Sequence, residues 1–217
     1  MYTNLTAQYA NGNNPHIKGR ESEINNLFLT LLRHEKPNAL MVGEPGVGKT
    51  TVIHQLAYLI ANGQCPDRLK GFSVIEVNTN SLISGDGYRG VIEKKFQDMI
   101  DGAINKGKCI LFMDEFHTVE NLGKMANNST PGLGNTLKPY LTRGDFRVIG
   151  ATTYKEAGEI TDKALLRRFT KITIGEPDDN VTKEIIKVCY NRYIGSSNIK
   201  VNANVIDETY NLSLTLE

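Results

Sequence analysis

Residues 43–50, GEPGVGKT, have the spacing G-x-x-x-x-G-K-[ST] of a phosphate-binding loop. The apolar segment NALMVG comes before this loop and a helical pattern follows it, so the loop joins a predicted strand to a predicted helix. Three glycines let backbone N–H groups point at phosphate oxygens, and the helix adds the positive end of its dipole. A glycine-rich turn without a ligand is the alternative. The predicted nucleotide contacts are Gly43, Glu44, Pro45, Gly46, Val47, Gly48, Lys49, Thr50 and Thr51.

Four side chains in and beyond this loop are suited to phosphate chemistry. The Lys49 ammonium would bridge the β- and γ-phosphates, and the Thr50 hydroxyl would bind Mg²⁺. Asp114 and Glu115 follow the apolar run CILFM, at a strand end, where α/β sheets bind ligands. Acidic pairs at strand ends are often simply solvated. Downstream of a phosphate loop, however, Asp114 is predicted to hold Mg²⁺ through water, and Glu115 to be the base that orients the attacking water.

Two further segments carry polar groups that could reach the same site. GATT, at 150–153, ends another predicted strand. A hydroxyl there could contact the γ-phosphate or the attacking water, or could simply belong to a threonine-rich strand end. ALLRRF, at 164–169, places Arg167 and Arg168 at the end of a helical stretch, and arginine supplies planar, permanently charged donors. The local pattern leaves open whether this pair serves its own site, a neighbouring subunit's site or a surface salt bridge.

Strand and helix patterns alternate along most of the chain, which predicts an α/β fold with a parallel sheet and helices on both faces. The strands are predicted at 38–43, 72–78, 109–115, 146–153 and 170–175. The first 15 residues are rich in asparagine and are predicted to be loop-like. We expect a hinge at 175–178. Residues 1–175 would form a nucleotide-binding unit, and 176–217 the start of a helical unit too short for a core of its own.

Composition argues against several classes of protein. The chain has 25 basic and 24 acidic residues, a net charge of +1, which does not support nucleic-acid binding driven by overall charge. Its three cysteines are far apart and form no CxxC pair, so a reduced setting fits better than a disulfide framework or a metal site. No signal-peptide pattern is present, and the longest strongly apolar run, CILFM, is too short to cross a bilayer. We therefore expect a cytoplasmic protein.

Taken in order, these segments resemble the AAA+ ATPases, and in particular the first ATPase ring of the Clp unfoldases and disaggregases of the ClpA and ClpB type. The resemblance runs from about residue 15 to about residue 195. It rests on GRESEI, GEPGVGKT, YRG, ILFMDEFHT, GNTLKPYLTRG, VIGATTYKE and ALLRRF. The phosphate loop alone is generic, whereas YRG and GNTLKP make the set specific. The resemblance implies a P-loop AAA+ three-layer sandwich with a five-stranded parallel sheet, followed by the start of a helical small domain.

The resemblance also implies roles for individual residues. ATP and Mg²⁺ would be bound, and Ile17 lies in the segment that contacts adenine. Thr153 matches the sensor that reports the γ-phosphate. Arg167 and Arg168 match the arginine fingers that enter the neighbouring subunit's site, so that the site is complete only in a ring, a hexamer in this family.

The segment SGDGYRG carries the resemblance to a substrate-gripping loop. Tyr88, with Arg89 and Gly90, matches the pore loop that contacts a substrate polypeptide. A flat amphipathic ring between glycines can contact an unfolded chain of any sequence. From the residues alone, packing of Tyr88 on its own domain would be the favoured interpretation. His117 is interpreted as a structural hydrogen-bonding anchor.

The expected function is an ATP-hydrolysing motor domain that unfolds or remodels proteins in a ring, with unfolded or tagged substrates and a possible protease or adaptor partner. One alternative is a nucleotide-binding interaction module that does not turn over ATP on its own. Another is a DNA-directed AAA+ protein, which requires a basic surface. The sequence ends partway through the helical unit, so we expect a segment of a longer protein or a reduced relative.

Overall fold

Strands and helices alternate through the computed structural model, which describes residues 2–12, 14–15, 17–78, 89–121, 132–194 and 204–215. The strands are β1 (Tyr2–Asn4), β2 (Asn38–Val42), β3 (Ser73–Val77), β4 (Cys109–Met113), β5 (Phe146–Thr152) and β6 (Phe169–Thr173). The helices are α1 (Leu5–Tyr9), α2 (Glu21–Leu31), α3 (Lys49–Ala61), α4 (Arg89–Ile104), α5 (His117–Asn121), α6 (Leu133–Leu137), α7 (Tyr154–Glu159), α8 (Lys163–Leu166), α9 (Asp179–Ile194) and α10 (Val205–Ser213).

One six-stranded sheet has the order β1-β3-β4-β5-β2-β6. The five strands from β3 to β6 in this order pair in parallel, which confirms the predicted parallel sheet. β2 lies between β5 and β6, so the loop that follows it emerges near the middle of the parallel strands, with the end of β5 beside it.

Both faces of the sheet are covered, and the residues of each strand alternate between two cores. Ile110 and Phe112 of β4 belong to the core under α1, α2 and α3, whereas Leu111 and Met113 belong to the core under α4 and α6. Every residue of β4 is buried. A strand buried on both faces reads as a continuous apolar run, which is why CILFM lacks polar alternation. This arrangement is the three-layer sandwich that the sequence predicts.

The first residues form ordered structure, and the predicted loop there is wrong. β1 pairs antiparallel with β3 and lengthens the sheet by one strand. α1 follows at once, because the Asn4 side chain accepts a hydrogen bond from the Ala7 N–H at 2.9 Å and caps the helix. Leu5 and Tyr9 are buried one turn apart against α3. Pairing with an edge strand and two buried side chains outweigh the polar composition of this segment.

α9 and α10 follow the sheet and contact each other, with a Lys183–Asp207 ion pair at 2.8 Å. The start of α9 also packs on the segment before α2. Gly19 has a φ of +70°, and a Cβ there would lie 2.0 Å from Val181 Cγ1, so no larger residue fits. Within the described residues, no helix is both long and apolar enough to cross a bilayer.

Candidate nucleotide-binding and catalytic site

The phosphate-binding loop begins where β2 ends and finishes where α3 begins. Gly43 lies against the backbone after β6, and a Cβ at this position would meet the Ile174 carbonyl oxygen at 2.2 Å, so glycine is required. Gly48 has a φ of +91° and directly precedes α3, which turns the N-terminus of that helix toward the loop. The strand, loop and helix therefore follow one another as the sequence predicts, a geometry that is suited to binding an anion.

Lys49 and Thr50 sit on the first turn of α3 and contact two different elements. The Lys49 ammonium donates to the carbonyl oxygens of Gly43 and Glu44, each at 2.9 Å. The Thr50 hydroxyl donates to Asp114 Oδ2 at 2.9 Å. An Asp114 oxygen in direct contact with the Thr50 hydroxyl is placed to accept from a water in the shell of an Mg²⁺ ion that Thr50 would bind.

Glu115 lies just beyond β4 in a backbone conformation that is uncommon outside glycine. Its φ is +52°, in the left-handed region. The Asp114 Oδ1 atom accepts a hydrogen bond from the Glu115 N–H at 2.9 Å, and the following N–H, of Phe116, donates to the Ala151 carbonyl. These bonds hold the turn, and the Glu115 side chain remains 59% exposed at the mouth of the site.

His117 lies between two carboxylates. Its Nδ1 atom is 3.6 Å from Glu115 Oε2, 3.3 Å from Glu156 Oε2 and 3.2 Å from Thr152 Oγ1. The ligand-type atoms of His117 and the two glutamates all lie within 4.8 Å of one another. These contacts agree with the interpretation of His117 as a hydrogen-bonding anchor, and they connect the end of β5 to the acidic turn after β4.

Glu156 and Thr153 cap α7 reciprocally. The Thr153 hydroxyl accepts from the Glu156 N–H at 3.3 Å, and Glu156 Oε2 accepts from the Thr153 N–H at 2.9 Å. Burial acts to raise the pKa of Glu156, but hydrogen bonds from Thr153 and Thr152 hold that pKa below its ordinary value. The Thr153 O–H faces the Glu156 carboxylate, and because a hydroxyl hydrogen can rotate, the cap is compatible with a contact to phosphate.

Two adjoining cavities meet at the phosphate-binding loop, and they share Pro45, Gly46, Gly48 and Thr51. The smaller, of about 330 Å³, is also lined by Lys49, Thr50, Asp114, Glu115, Thr152, Thr153 and Glu156. The larger, of about 660 Å³, is also lined by Pro15, Ile17, Lys18, Arg20, Val47, Glu176, Pro177, Thr182, Ile185, Val188 and Cys189. The smaller cavity thus brings together Lys49, Thr50, Asp114, Glu115 and Thr153 of the predicted site, and the larger lies between the loop, Ile17 and α9.

Arg20 is a buried cation beneath the larger cavity. It is 5% exposed, and its guanidinium donates to the Val47 carbonyl at 2.7 Å, to the Gly175 carbonyl at 2.9 Å and to Glu23 at 2.7 Å. Burial acts to raise the pKa of Glu23, but hydrogen bonds from Ser22 and Arg20 lower it below its ordinary value. One side chain thereby joins the phosphate loop, the start of α2 and the predicted hinge.

The arginine pair lies away from both cavities. Arg167 is exposed at the end of α8, and Arg168 Nη1 donates to the Ala164 carbonyl at 2.7 Å. Among the described residues, neither arginine lines the two cavities. Tyr88 lies outside the described residues. Arg89 and Gly90 begin α4, and their side chains also lie outside the described part.

A family model, described as the ATPase family associated with various cellular activities (AAA), matches residues 39–176. This range contains the phosphate-binding loop, the acidic pair and the arginine pair, and it covers more than half of the chain. The chain belongs to the AAA family.

Curated relatives of this AAA domain are of the Clp type. The chain is 38% identical over 199 residues to the chaperone protein ClpB of Aquifex aeolicus (strain VF5), covering 91% of this chain and 20% of that protein. It is 35% identical over 214 residues to the ATP-dependent Clp protease ATP-binding subunit ClpL of Staphylococcus aureus (strain USA300), covering 97% of this chain and 30% of that protein. The chain therefore spans less than a third of the length of these relatives.

Solved structures give the same assignment. The extended S. cerevisiae Hsp104:casein complex aligns with a TM-score of 0.84 and 30% identity, over 98% of this chain and 36% of that one. Closed-state Hsp104 with ATPγS and FITC-casein aligns with a TM-score of 0.76 and 34% identity, over 88% of this chain and 33% of that one. The predicted Clp-type AAA+ family and fold are confirmed, and neither alternative to a Clp-type motor domain is favoured.

Sequence reasoning missed several residues that surround the site. Arg20 and the α9 residues around Cys189 contribute through contacts between segments far apart in the chain. Glu156 was detectable, because the spacing T-x-x-E in TYKE is that of a capping box. The proximity of Glu156 to His117 depends on the neighbouring strand ends and has no local sequence signal.

Proposed function

We propose that this AAA domain binds and hydrolyses Mg²⁺·ATP as the motor domain of a ring-forming protein unfoldase or chaperone. The observation that carries the proposal is the contact between Thr50 and Asp114 at 2.9 Å, beside Glu115 and within the cavity that the phosphate-binding loop lines. A phosphate loop alone would support binding. The acidic turn at the same cavity adds the groups that hydrolysis needs.

Each group at the smaller cavity has a distinct task. Lys49, with three donors, would exchange its two carbonyl partners for oxygens of the β- and γ-phosphates. Thr50 directly, and Asp114 through water, would hold Mg²⁺, which neutralises phosphate charge when bound. Glu115 would orient the attacking water and accept its proton, and its exposed carboxylate reaches the open side of the cavity. The Thr153 hydroxyl would donate to the γ-phosphate.

The base and ribose of ATP would occupy the larger cavity. Ile17 supplies an apolar contact beside the loop, and Ile185 and Val188 of α9 supply others. Such a cavity, mostly apolar with a few polar groups, is typical of nucleotide sites. Since α9 follows the hinge at 175–178, nucleotide would contact both units of the predicted two-part organisation.

Arg167 and Arg168 are proposed to act on a neighbouring subunit's nucleotide. Their position away from the two described cavities supports action in trans, because neither lines the site of its own chain. A guanidinium supplied by a neighbour would stabilise the charge that develops on the phosphates. This places hydrolysis in a ring, which we propose to be a hexamer.

We propose that Tyr88, with Arg89 and Gly90, contacts the threaded polypeptide. The Hsp104 structures named above contain casein, which supports a protein substrate for this chain. Three free cysteines support a cytoplasmic location. We also propose a protease or an adaptor protein as a partner of the assembled ring.

The experiment compares Glu115→Gln and Tyr88→Ala in a ring-forming protein that contains this chain. Glu115→Gln is expected to retain ATP affinity within about threefold and to lower the hydrolysis rate by roughly a hundredfold or more, the contribution of a general base. The matched control is Glu159→Gln, an exposed carboxylate on α7 that does not line the described cavities. It should hydrolyse ATP at the normal rate.

Tyr88→Ala should keep hydrolysis and lose unfolding of a folded fluorescent protein substrate. Unchanged turnover in Glu115→Gln would remove Glu115 as the base. Normal unfolding by Tyr88→Ala would remove the pore assignment while leaving the ATPase intact. A protein that stays monomeric at every concentration and does not hydrolyse ATP would instead be a nucleotide-binding interaction module.

A further inference from the structure

A third cavity lies at the end of the sheet opposite the phosphate-binding loop. It has a volume of about 190 Å³ and lies where β3, β4 and β5 begin, with Phe72 and Lys108 just before two of these strands. The loop cavities lie at the carboxyl ends of the same strands. Strands of five to seven residues at about 3.3 Å per residue separate the two sites by roughly 15–20 Å.

Three cations surround this cavity: Arg68, Lys108 and Arg147. Arg147 Cζ and Lys108 Nζ each lie 5.9 Å from the centre of the Phe72 ring, so the two charges approach the same buried ring. Arg68 and Lys108 are exposed, and Arg68 Nη1 donates to the Leu32 carbonyl at 3.4 Å, whereas Arg147 is only 8% exposed. The cavity therefore combines one buried guanidinium with two exposed cations at its rim.

Arg147 has donors that the protein does not use. Its Nε donates to the Leu31 carbonyl at 3.2 Å, and its Nη1 donates to the carbonyls of Arg143 at 2.8 Å and Phe146 at 2.9 Å. Within the described part of the chain, Nη2 has no hydrogen-bond acceptor and the guanidinium has no carboxylate partner. Nη2 is therefore available to an anion that enters the cavity, and such an anion would supply the counter-charge that the surrounding residues do not.

The nearby carboxylates are already engaged elsewhere. Both oxygens of Asp145 accept from Arg143, at 3.0 Å each, and Asp67 pairs with Lys70 at 2.7 Å. Burial, followed by repulsion from Arg68, lowers the pKa of Arg147, and Asp145 only partly offsets this. The charge that faces the cavity is therefore positive and unbalanced.

We propose that this cavity binds a small phosphate-type oxyanion, as inorganic phosphate or as a phosphate monoester group. Arg147 would donate through Nη2 from the floor, and Arg68 and Lys108 would close on the anion from the rim. An oxyanion with several acceptor oxygens can satisfy three donors that approach from different sides, whereas a water molecule supplies no counter-charge. The apolar wall at Phe72 leaves room for the ester group of a monoester.

The test is a titration of the ¹⁵N-labelled 217-residue chain with inorganic phosphate, followed by NMR at constant ionic strength. Phosphate can also occupy the nucleotide site, and two precautions address this. The labelled chain carries Lys49→Ala, and a parallel series is recorded in the presence of saturating ADP. Amide signals of 68–72, 108–109 and 144–147 should shift together as phosphate is added. Phenyl phosphate in place of phosphate reports whether monoesters bind as well, and sodium acetate reports whether any carboxylate suffices.

Variants at the rim decide whether these cations form the site. Arg68→Gln and Lys108→Gln are surface changes that leave the fold intact, and each should weaken phosphate binding by roughly threefold, the double variant by roughly tenfold. Lys94→Gln, which removes an exposed lysine of α4 that does not line the cavity, should bind phosphate normally. Shifts confined to the nucleotide loop, unchanged binding by the double variant, or equal shifts with acetate or chloride would overturn the proposal.

Discussion

Replacing Arg20 by methionine tests whether one buried side chain joins the phosphate loop to the hinge. Methionine keeps the apolar volume of the arginine stem but removes all of its donors. The carbonyls of Val47 and Gly175 then lose their guanidinium partner, and Glu23 loses its ion pair. We expect both the stability of the chain and its affinity for nucleotide to fall.

The magnitude follows from burial and from the number of bonds. Arg20 makes three charge-assisted hydrogen bonds of 2.7–2.9 Å, and its side chain is 6% exposed. Hydrogen bonds to charged groups contribute about 1.5–3 kcal/mol each but are not additive, and breaking a buried ion pair costs about 3–5 kcal/mol. We therefore expect a loss of about 3–5 kcal/mol in the free energy of unfolding. Because Val47 lines the larger cavity, nucleotide affinity should fall by roughly tenfold or more.

The assay combines urea unfolding followed by circular dichroism with binding of a fluorescent ADP analogue. Arg20→Lys is the matched control, because it keeps the charge but lacks the planar fork that reaches two carbonyls at once, and should give an intermediate loss. A free energy of unfolding within about 0.5 kcal/mol of the parent would refute the assigned contacts, since that is the size of an ordinary surface change. Lower stability with unchanged nucleotide affinity would refute the link to the loop.

Two further predictions concern the turn after β4 and its partners. In Gly150→Ala the new Cβ would lie 2.6–2.9 Å from atoms of the fully buried Phe116, so we expect the free energy of unfolding in urea to fall by about 1–3 kcal/mol. Gly158→Ala is the control, because a Cβ there has nothing within 4 Å and should not destabilise the chain. Glu156→Gln should also lower stability at pH 7. Because the folded pKa of Glu156 lies below its ordinary 4.5, this deficit is full above pH 4.5 and should shrink as pH falls through the folded pKa; a deficit that persists at low pH contradicts the assignment.

Most of the sheet and the core of the site could be predicted because their signals are local. The phosphate loop lies within eight consecutive residues, and β4 carries its own evidence of burial on both faces. Asp114 and Glu115 could be assigned to the same site because parallel strand ends share one edge of the sheet. The 2.9 Å contact between Thr50 and Asp114 agrees with that inference.

The features that escaped prediction depend on contacts between distant segments. β1 is only three residues long and gains its structure from β3, which lies about 70 residues further along the chain. Arg20 stands in a polar stretch where nothing indicates burial, and two of its three acceptors are 27 and 155 residues away. Composition and periodicity report on neighbours in sequence, so such residues become visible only when the fold is known.

The backbone of the arginine pair is held by a residue of β2 as well as by α8. Asn38, at the first position of β2, is fully buried, and its amide donates to the Arg168 carbonyl at 3.1 Å and to the Leu141 carbonyl at 3.2 Å. The same strand ends at Val42, directly before the phosphate-binding loop. A rigid strand of five residues therefore has the loop at one end and the backbone of the arginines at the other. The action that we propose for Arg167 on a neighbouring subunit's nucleotide would therefore start from a segment whose backbone is anchored to the strand that carries the phosphate-binding loop.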